Sequence, residues 1–466
     1  MNNIQRSAAL LLAIGIVILV ACDSGSPTAT VAVSTTATPV SNETINPTLQ
    51  PERTPSPSDT EHVGRYNTNL QWMFKTEGQI RRTPRISDGT VYIGSDGRFG
   101  TPGLYGIDTG SGERLWVFPV DDGVQSSVAM SGGLVYFGGR DDNFYAVDAG
   151  SGEEVWRFET GGWVDTDPVI VGSTVIFGSR DHNVYRLDLR DGSEIWRFST
   201  GGELVSSPAV SDGLVYIGSN DNNMYALDVA TGEMQWQFAT YGRVESSPLV
   251  DDGLVYFGSF DRSMYALDAA TGELEWWFKT GAIVVSSPRL FGDWVIFGSN
   301  DYSLYALHGK TGQLVWTFNT TGKVLSTPAI DDGIVYFGSS DGNLYALSAL
   351  TGSEDWRYKT TGQVVSTPVV HDGTVYFGDA DRTFYALDVS AEARDVPVAE
   401  FEAAMFGSGP MRNRTFEAKP LEELSGVRWQ FQPIGARPRF GAEMTTVGPT
   451  YRKGSNGGRP VNSGIV

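Results

Sequence analysis

The stretch that decides the fold is residues 206–236, SSPAVSDGLVYIGSNDNNMYALDVATGEMQW, because close copies of it recur along most of the chain. The tryptophan that ends it returns every 40 residues, and one further copy stands 44 residues before the first of that series. The full set is Trp72, Trp116, Trp156, Trp196, Trp236, Trp276, Trp316 and Trp356. A fixed period of this length indicates a repeat architecture. We place the four extra residues of the first interval in a turn at 97–103.

The repeating unit predicts four short strands, at 206–210, 214–218, 224–228 and 233–238. The strands are rich in β-branched and aromatic residues, and clusters of Ser, Asp, Asn and Gly separate them as hairpin turns. No window of helical length escapes a glycine or a turn cluster, so the pattern excludes helices here. Four antiparallel strands per 40 residues, repeated around an axis, predict an all-β protein whose units are the blades of a β-propeller.

Residues 226–236, ALDVATGEMQW, resemble the tryptophan-docking motif of PQQ-like propeller repeats, A-x-D-x-x-T-G-K-x-x-W, with Glu233 in place of Lys. The motif returns at 266–276, and at 146–156 with Ser151 for Thr. This resemblance covers roughly residues 69–390 and implies one large propeller domain over that range.

Eight modules follow one another, and a shared valine marks the second strand of each: Val91, Val135, Val175, Val215, Val255, Val295, Val335 and Val375. The eighth module loses the motif, and Val396 stands where a Trp is due. Trp72 lies in a fourth-strand sequence that has no module of its own. Pairing that N-terminal strand with the eighth module closes an eight-bladed ring and removes an exposed edge. Trp429 carries a similar W-x-F sequence, but we assign Trp72 to blade eight and leave Trp429 outside the ring.

The N-terminal region resembles that of a bacterial lipoprotein. Residues 8–21 are apolar and uncharged, and LVAC at 19–22 is similar to a lipobox whose cysteine, Cys22, is the only one in the chain. The resemblance implies a signal peptide at 1–21, acylation of Cys22, and attachment to a membrane on the extracytoplasmic side of the cell envelope. A plain secretory signal or an uncleaved anchor are the alternatives.

Two further segments differ in composition from the repeats. Of the 39 residues at 23–61, 21 are Ser, Thr or Pro and none is aromatic. Such a segment cannot bury enough apolar surface to fold, so 22–61 is predicted to be an acylated cysteine followed by a disordered tether. The tail at 391–466 is predicted to be mostly irregular, and from residue 408 it is basic, with nine Arg or Lys against four Glu.

The charge and the cysteine count exclude several classes of function. The formal net charge of −21 argues against nucleic acid, or an anionic membrane surface, as a partner of the propeller body. A single cysteine excludes internal disulfides. We expect a monomeric propeller that reaches the membrane through its lipid.

The PQQ-like resemblance implies one enzymatic rival, a quinoprotein dehydrogenase that holds PQQ and calcium in the propeller. Such enzymes commonly carry an adjacent cysteine pair over the cofactor, whereas this propeller contains no cysteine and its intervals are regular. We therefore expect no catalytic residue and no cofactor. Bound quinone absorbance in the purified protein would decide for the enzyme.

An aspartate recurs in the turn after each second strand: Asp141, Asp181, Asp221, Asp261, Asp301, Asp341 and Asp381. No Glu closes a twelve-residue loop of the kind that EF-hand calcium binding needs. Aspartate in a tight turn accepts hydrogen bonds from nearby backbone N–H groups. We expect these residues to be structural and predict no metal site.

Function is expected where the repeats disagree. The residue two positions before the Ser-Pro or Thr-Pro dipeptide is polar in four blades, as Arg81, Gln125, Asp165 and Glu245, and apolar in the other four. Arg82 and Asp167 adjoin this position, and Arg85 and Arg289 lie just beyond the proline. We expect an exposed rim beside the central channel that binds an asymmetric ligand or partner. Neutral variation on a solvated rim is an equal alternative.

The combination of lipobox and eight-bladed propeller resembles the propeller lipoproteins of the outer-membrane barrel-assembly machinery. It implies a membrane-anchored, non-enzymatic scaffold for protein binding or assembly, whose partner is an envelope protein or a surface glycan. A cell-surface sensor or adhesin that binds glycan is a further alternative, which glycan-array binding would distinguish.

Overall fold

A computed structural model describes residues 69–97 and 101–390, which form 32 strands in eight four-stranded antiparallel sheets. The leader, Cys22, the tether, the tail and Trp429 lie outside the described residues. Within the described ranges, no helix is long and apolar enough to cross a membrane. The fold is therefore the predicted all-β, eight-bladed propeller.

Each blade begins with a short innermost strand and a longer second strand. The innermost strands are β2 (Arg85–Ser87), β6 (Ala129–Ser131), β10 (Val169–Val171), β14 (Ala209–Ser211), β18 (Leu249–Asp251), β22 (Arg289–Phe291), β26 (Ala329–Asp331) and β30 (Val369–His371). The second strands are β3 (Thr90–Ser95), β7 (Leu134–Gly138), β11 (Thr174–Gly178), β15 (Leu214–Gly218), β19 (Leu254–Gly258), β23 (Trp294–Gly298), β27 (Ile334–Gly338) and β31 (Thr374–Gly378).

A third and an outer strand complete each blade. The third strands are β4 (Gly103–Asp108), β8 (Asn143–Asp148), β12 (Asn183–Asp188), β16 (Asn223–Asp228), β20 (Ser263–Asp268), β24 (Ser303–His308), β28 (Asn343–Ser348) and β32 (Thr383–Asp388). The outer strands of blades one to seven are β5 (Arg114–Pro119), β9 (Glu154–Glu159), β13 (Glu194–Ser199), β17 (Met234–Ala239), β21 (Leu274–Lys279), β25 (Leu314–Asn319) and β29 (Glu354–Lys359). The outer strand of blade eight is β1 (Asn69–Lys75).

The innermost strand is shorter than the sequence predicts. In blade four it covers Ala209–Ser211 rather than 206–210. Ser206 lies outside the strand, and its side chain links two blades. Its hydroxyl accepts a hydrogen bond from Gly218 N of the same blade at 3.1 Å and donates one to Ser246 O of the next blade at 3.0 Å. Pro208 has no N–H to add to a ladder. The 206–208 segment therefore joins blades and does not extend the strand.

The repeating tryptophan joins each blade to the next. The indole N–H of Trp236 donates to Ala269 O of the following blade at 3.0 Å, and seven of the eight described repeat tryptophans make the equivalent bond. The buried clusters likewise combine residues of neighbouring blades, as in the cluster that holds Trp236 and Phe257. No blade buries its hydrophobic face alone, so the ring is the unit of stability.

The glycine of the docking motif lies against the tryptophan of the preceding blade. Gly232 has a φ of +75°, and a Cβ on it would lie 2.7 Å from Cδ2 of Trp196. The residue must therefore be glycine for its backbone conformation and for the space it leaves. This contact explains why the motif glycine recurs at a fixed distance in sequence from the tryptophan of the preceding blade.

The ring closes through the N-terminal strand, as predicted. Strand β1 pairs with β32 in antiparallel register, with Trp72 opposite Ala386. The Trp72 indole donates to Thr109 O of blade one at 2.8 Å, and its ring lies 5.9 Å from those of Tyr376 and Phe384. Blade eight is thus built from both ends of the propeller and docks on blade one as every other blade docks on its successor.

The glycine–tryptophan contact gives a matched pair of substitutions. Gly213 also has a positive φ, +79°, but a Cβ there meets nothing within 4 Å. We expect Gly213→Ala to lower the free energy of unfolding by about 1 kcal/mol through its backbone conformation alone. Gly232→Ala should cost about 2 kcal/mol more, because its methyl group overlaps the Trp196 ring. Urea unfolding of both variants measures the difference, and equal losses would show that the contact does not hold the blades together.

Candidate binding face

Two variable positions of the repeat meet at one face of the propeller. The loop from an outer strand to the next innermost strand is tied to the turn between the second and third strands by backbone hydrogen bonds in every blade. Examples are Arg180 N to Trp163 O at 2.8 Å and Phe260 N to Arg243 O at 2.9 Å. We call the surface made by these loops and turns the loop face. Sequence differences in either segment therefore appear side by side.

Asp165 corrects the expectation of an exposed rim, because its side chain is fully buried. Arg140 from the turn of blade two binds it through two nitrogens, with Nε 2.9 Å from Oδ1 and Nη2 3.2 Å from Oδ2. Arg180 from its own blade donates from Nε to Oδ2 at 2.7 Å. The carboxylate is thus enclosed by two guanidinium groups and is not a solvated rim residue.

The electrostatics of Asp165 follow from this enclosure. Burial alone would raise the pKa of its carboxyl, but the hydrogen bond and charge of Arg140 and the charge of Arg180 outweigh burial and hold the pKa below its ordinary value. Asp165 is therefore ionised at neutral pH. A buried carboxylate of this kind is stable only while its partners remain in place.

The pair of arginines extends the network in both directions. Arg140 donates from Nη2 to Oε1 of Gln125 at 2.6 Å and approaches Asp96 at 3.8 Å. On the other side Arg180 contacts Glu203 at 3.3 Å. The chain begins at Arg81, whose Nε lies 3.5 Å from Asp96. From blade one to blade four the charges alternate in the order Arg81, Asp96, Arg140, Asp165, Arg180, Glu203.

Trp163 is the exposed aromatic residue of this network. It is 36% exposed, and the guanidinium carbons of Arg140 and Arg180 lie 4.6 and 5.2 Å from its ring centroid. Such contacts hold both arginines and the indole in one arrangement. Trp163 also lines an open depression of about 830 Å³ that continues over blades one and eight. A second depression, of about 450 Å³, lies beside the first, and Gln79 lines both of them.

The rest of the loop face differs in character. In blade five Glu245 is largely buried, which raises the pKa of its carboxyl, and Arg243 lies 3.7 Å away over the ring of Phe260. In blades six to eight the same repeat position is Val285, Leu325 and Val365. The polar arc, which we define by Arg81, Gln125, Asp165 and Glu245, thus lies on blades one, two, three and five, whereas blade four carries Val205, as the sequence indicated.

Arg82, Asp167, Arg85 and Arg289 lie deeper, around the central channel. The charge of Arg82 in blade one acts on Asp165 in blade three and on Glu245 in blade five. The charge of Asp167 in blade three acts on Arg289 in blade six. Because these blades approach one another only at the axis, the charges of Arg82 and Asp167 act across the channel.

Sequence reasoning missed the side chains that surround the predicted rim residues. Gln79, Asp96, Arg140, Trp163, Arg180 and Glu203 all belong to the loop face and were not among the predicted site residues. A usable signal was present, because the residue after the Gly-Ser, Gly-Gly or Gly-Asp pair of each second strand varies as strongly as the predicted position: Asp96, Arg140, Arg180, Asn220, Phe260, Asn300, Ser340 and Ala380.

Six of the seven repeated turn aspartates have the structural role that was predicted, and Asp381 does not. Asp221 accepts from the Tyr225 hydroxyl at 2.7 Å and from Gly201 N at 2.7 Å, and most other blades repeat this arrangement. In blade eight Asp379 takes the equivalent hydroxyl at 2.9 Å, which leaves Asp381 exposed on the wall that both depressions share. Over 69–97 and 101–390, no three His, Cys, Asp or Glu residues are grouped so that they could hold a metal ion.

Fold and repeat together define the class: an eight-bladed β-propeller of PQQ-like repeats. The family models agree with this assignment. The model described as outer membrane protein assembly factor BamB, of the PQQ-like type, matches residues 103–204. The model described as the β-propeller of β-alanine-activating enzyme matches residues 210–411. The predicted recognition of PQQ-like, BamB-like repeats is thereby confirmed. No curated protein matches the chain.

Solved structures confirm the fold and extend over functionally different proteins. BamB from Moraxella catarrhalis is 21% identical, with a TM-score of 0.58, covering 69% of this chain and 100% of that one. Quinohemoprotein alcohol dehydrogenase from Comamonas testosteroni is 16% identical, with a TM-score of 0.59, covering 72% and 79%. The computationally designed Ika8 protein is 18% identical, with a TM-score of 0.62, covering 69% and 100%. At these identities the likeness establishes architecture alone.

The burial of Asp165 predicts a contrast between two residues at the same repeat position. Asp165→Ala leaves two partly buried guanidinium groups without their shared carboxylate and should lower the free energy of unfolding by about 3 kcal/mol. Glu245→Ala removes a looser pair with a half-exposed arginine and should cost less than about 1 kcal/mol. Urea unfolding at neutral pH provides the comparison, and losses of equal size would contradict the buried network.

The contribution of Asp165 to the free energy of unfolding has a defined pH dependence. Because the folded-state pKa of Asp165 is depressed, its contribution is complete above the unfolded pKa of about 4 and disappears as the pH falls through the folded-state value. The difference in unfolding free energy between wild type and Asp165→Ala should therefore be constant from pH 5 to 7 and shrink below about pH 4.

Proposed function

We propose that this protein is a non-enzymatic scaffold of the bacterial cell envelope, anchored to a membrane by acylated Cys22, whose loop face binds a protein partner. The observation that carries the proposal is the alternating chain of charges on blades one to four, which ends in exposed groups at Arg81 and Glu203. Six side chains of alternating sign fixed around a buried carboxylate form a rigid pattern that a complementary protein surface can read.

The composition of this face favours a protein surface as ligand. Interfaces are enriched in Trp, Tyr and Arg, and exposed residues of these types cluster here. Trp163 is partly exposed, Tyr241 is 97% exposed, and Tyr302 is 49% exposed. Arg81 and Arg243, at the two ends of the polar arc, keep about half of their side chains in solvent. Aromatic anchors flanked by charged groups are the usual make-up of a binding surface.

A non-enzymatic role is supported by how the side chains are used. The repeated turn carboxylates are engaged by tyrosine hydroxyls and backbone N–H groups, and Asp165 is held by two arginines. These groups are therefore committed to structure. The matched BamB model bears the description of an assembly factor. A role in assembly at the envelope is the function of this kind that the architecture supports best.

The rim can be tested without disturbing the fold, because Arg81 and Arg243 are exposed. A photo-crosslinking residue at Glu203, on the loop face, should capture a partner in intact cells, whereas one at Asp212, on the opposite face of the same blade, should not. Arg81→Glu with Arg243→Glu should reduce that crosslink at least fivefold, because like charges then face the partner. Arg114→Glu with Arg190→Glu, on exposed sites away from this face, serves as the control.

Two results would contradict the binding proposal. Equal crosslinking from Glu203 and Asp212 would show that the loop face has no special role. An unchanged crosslink in the Arg81→Glu, Arg243→Glu variant, with the variant folded by circular dichroism, would show that the charge pattern is not what the partner reads.

Anchoring is tested separately. If Cys22 is the acylated residue, Cys22→Ser should move the protein from the membrane fraction to the soluble fraction, or leave it with an unprocessed leader. Metabolic labelling with a fatty acid should mark the wild type and not the variant. Unchanged membrane association of an unlabelled, processed variant would contradict the lipoprotein.

A further inference from the structure

A ring of hydrogen bonds surrounds the central channel and is interrupted at one place. The residue before the conserved proline position donates its backbone N–H to the side chain of the equivalent residue 40 positions later. The bonds run from Ser127 to Asp167 at 2.7 Å, Asp167 to Ser207 at 2.8 Å, Ser207 to Ser247 at 3.0 Å, Ser247 to Ser287 at 2.9 Å and Ser287 to Thr327 at 3.3 Å. They link blades two to seven.

The interruption lies at blades seven, eight, one and two. Among the described residues, the backbone N–H groups of Thr327, Thr367 and Thr83 make no equivalent bond to the next blade. The hydroxyl of Ser127, which should accept the last of these bonds, is buried and has no partner. Buried polar groups without partners are uncommon in folded proteins, and this one lies beside N–H groups that also lack the bond to the next blade.

Two arginines lie at the same depth of the channel wall. Arg85 and Arg289 are the first residues of the innermost strands β2 and β22, and both side chains are exposed to the channel. The other six blades carry Ala, Val or Leu at this position: Ala129, Val169, Ala209, Leu249, Ala329 and Val369. The pseudo-eightfold repeat therefore places two guanidinium groups in one layer of otherwise apolar side chains.

These guanidinium groups have no carboxylate in direct contact among the described residues. Arg289 donates to Pro288 O at 3.1 Å, and neither arginine forms an ion pair with a carboxylate of the described residues. The surrounding protein partly desolvates Arg289 and lowers its pKa, with Asp167 as the carboxylate whose charge reaches it. Arg85 and Arg289 together exceed the single negative charge of Asp167, so this level of the channel carries an excess of positive charge. In a narrow channel with low-dielectric walls, an excess of one sign raises the local concentration of the opposite ion.

We propose that the channel binds a small oxyanion, a phosphate or carboxylate group, at the level of Arg85 and Arg289 beside the interrupted ring. Unpaired backbone N–H groups, hydroxyls and guanidinium groups are all donors, and donors without acceptors select an anion. The site is separate from the loop-face network, because it uses none of the side chains that enclose Asp165. It does not depend on the identity of a protein partner.

The test uses the full chain with inorganic phosphate and with succinate, each compared with sodium chloride at equal ionic strength. Binding is measured by titration calorimetry and, for phosphate, by ³¹P line broadening. We expect saturable binding of at least one anion in about the millimolar range. Arg85→Gln with Arg289→Gln should weaken it at least tenfold, whereas Arg114→Gln with Arg190→Gln, which removes two exposed charges elsewhere, should leave it unchanged.

Ser127→Ala provides a second variant that removes only the unpartnered hydroxyl and should weaken binding several-fold with the fold intact. Binding of phosphate alone identifies a phosphate group, binding of succinate alone identifies a carboxylate, and either supports the site. Absence of saturable binding of both anions would overturn it. So would equal weakening in the Arg114→Gln, Arg190→Gln control, because the effect would then be one of overall charge.

Discussion

The structure depends on one interaction that is repeated around the ring: the tryptophan of a blade packs against the next blade and, in seven of the eight blades, donates its indole N–H to a backbone carbonyl there. The bond satisfies the one polar atom of a large buried aromatic side chain, so burial costs little and the apolar contact area is gained. The motif glycine, held at positive φ, lets the tryptophan ring lie flat against the turn. Because every blade needs its neighbour, the sequence must repeat strictly wherever this contact is made.

The same contact explains where the chain is free to vary. The docking motif fixes the outer part of each blade, while the loops of the loop face are held mainly through backbone hydrogen bonds and therefore accept different side chains. Asp96, Arg140 and Asp165 are such differences, placed next to one another by a scaffold that is otherwise uniform. A strict repeat thus supports a face without symmetry, which is what binding one asymmetric partner requires.

The fold could be predicted from the sequence because its signals are local. Strands, turns and the Trp72 closure all follow from a 40-residue period and from a strand without a blade. The candidate site could be predicted only in part. The repeat position singled out Asp165 and Glu245 alike, yet one is enclosed by two arginines and the other lies beside one half-exposed arginine. The difference comes from Arg140, which belongs to the neighbouring blade, and contacts between blades are not visible in a single repeat.

Closure through Trp72 is the claim on which the rest depends, since the depression beside Trp163 is lined by residues of blades eight, one, two and three. Hydrogen–deuterium exchange on the full chain tests it directly. If Trp72 closes the ring, the amides of Asn69–Lys75 and Thr383–Asp388 should be protected from exchange as strongly as those of Asn223–Asp228 and Met234–Ala239 in blade four. Rapid exchange of Asn69–Lys75, together with strong protection of residues 427–431 around Trp429, would contradict the account and give the last strand of the ring to the C-terminal segment.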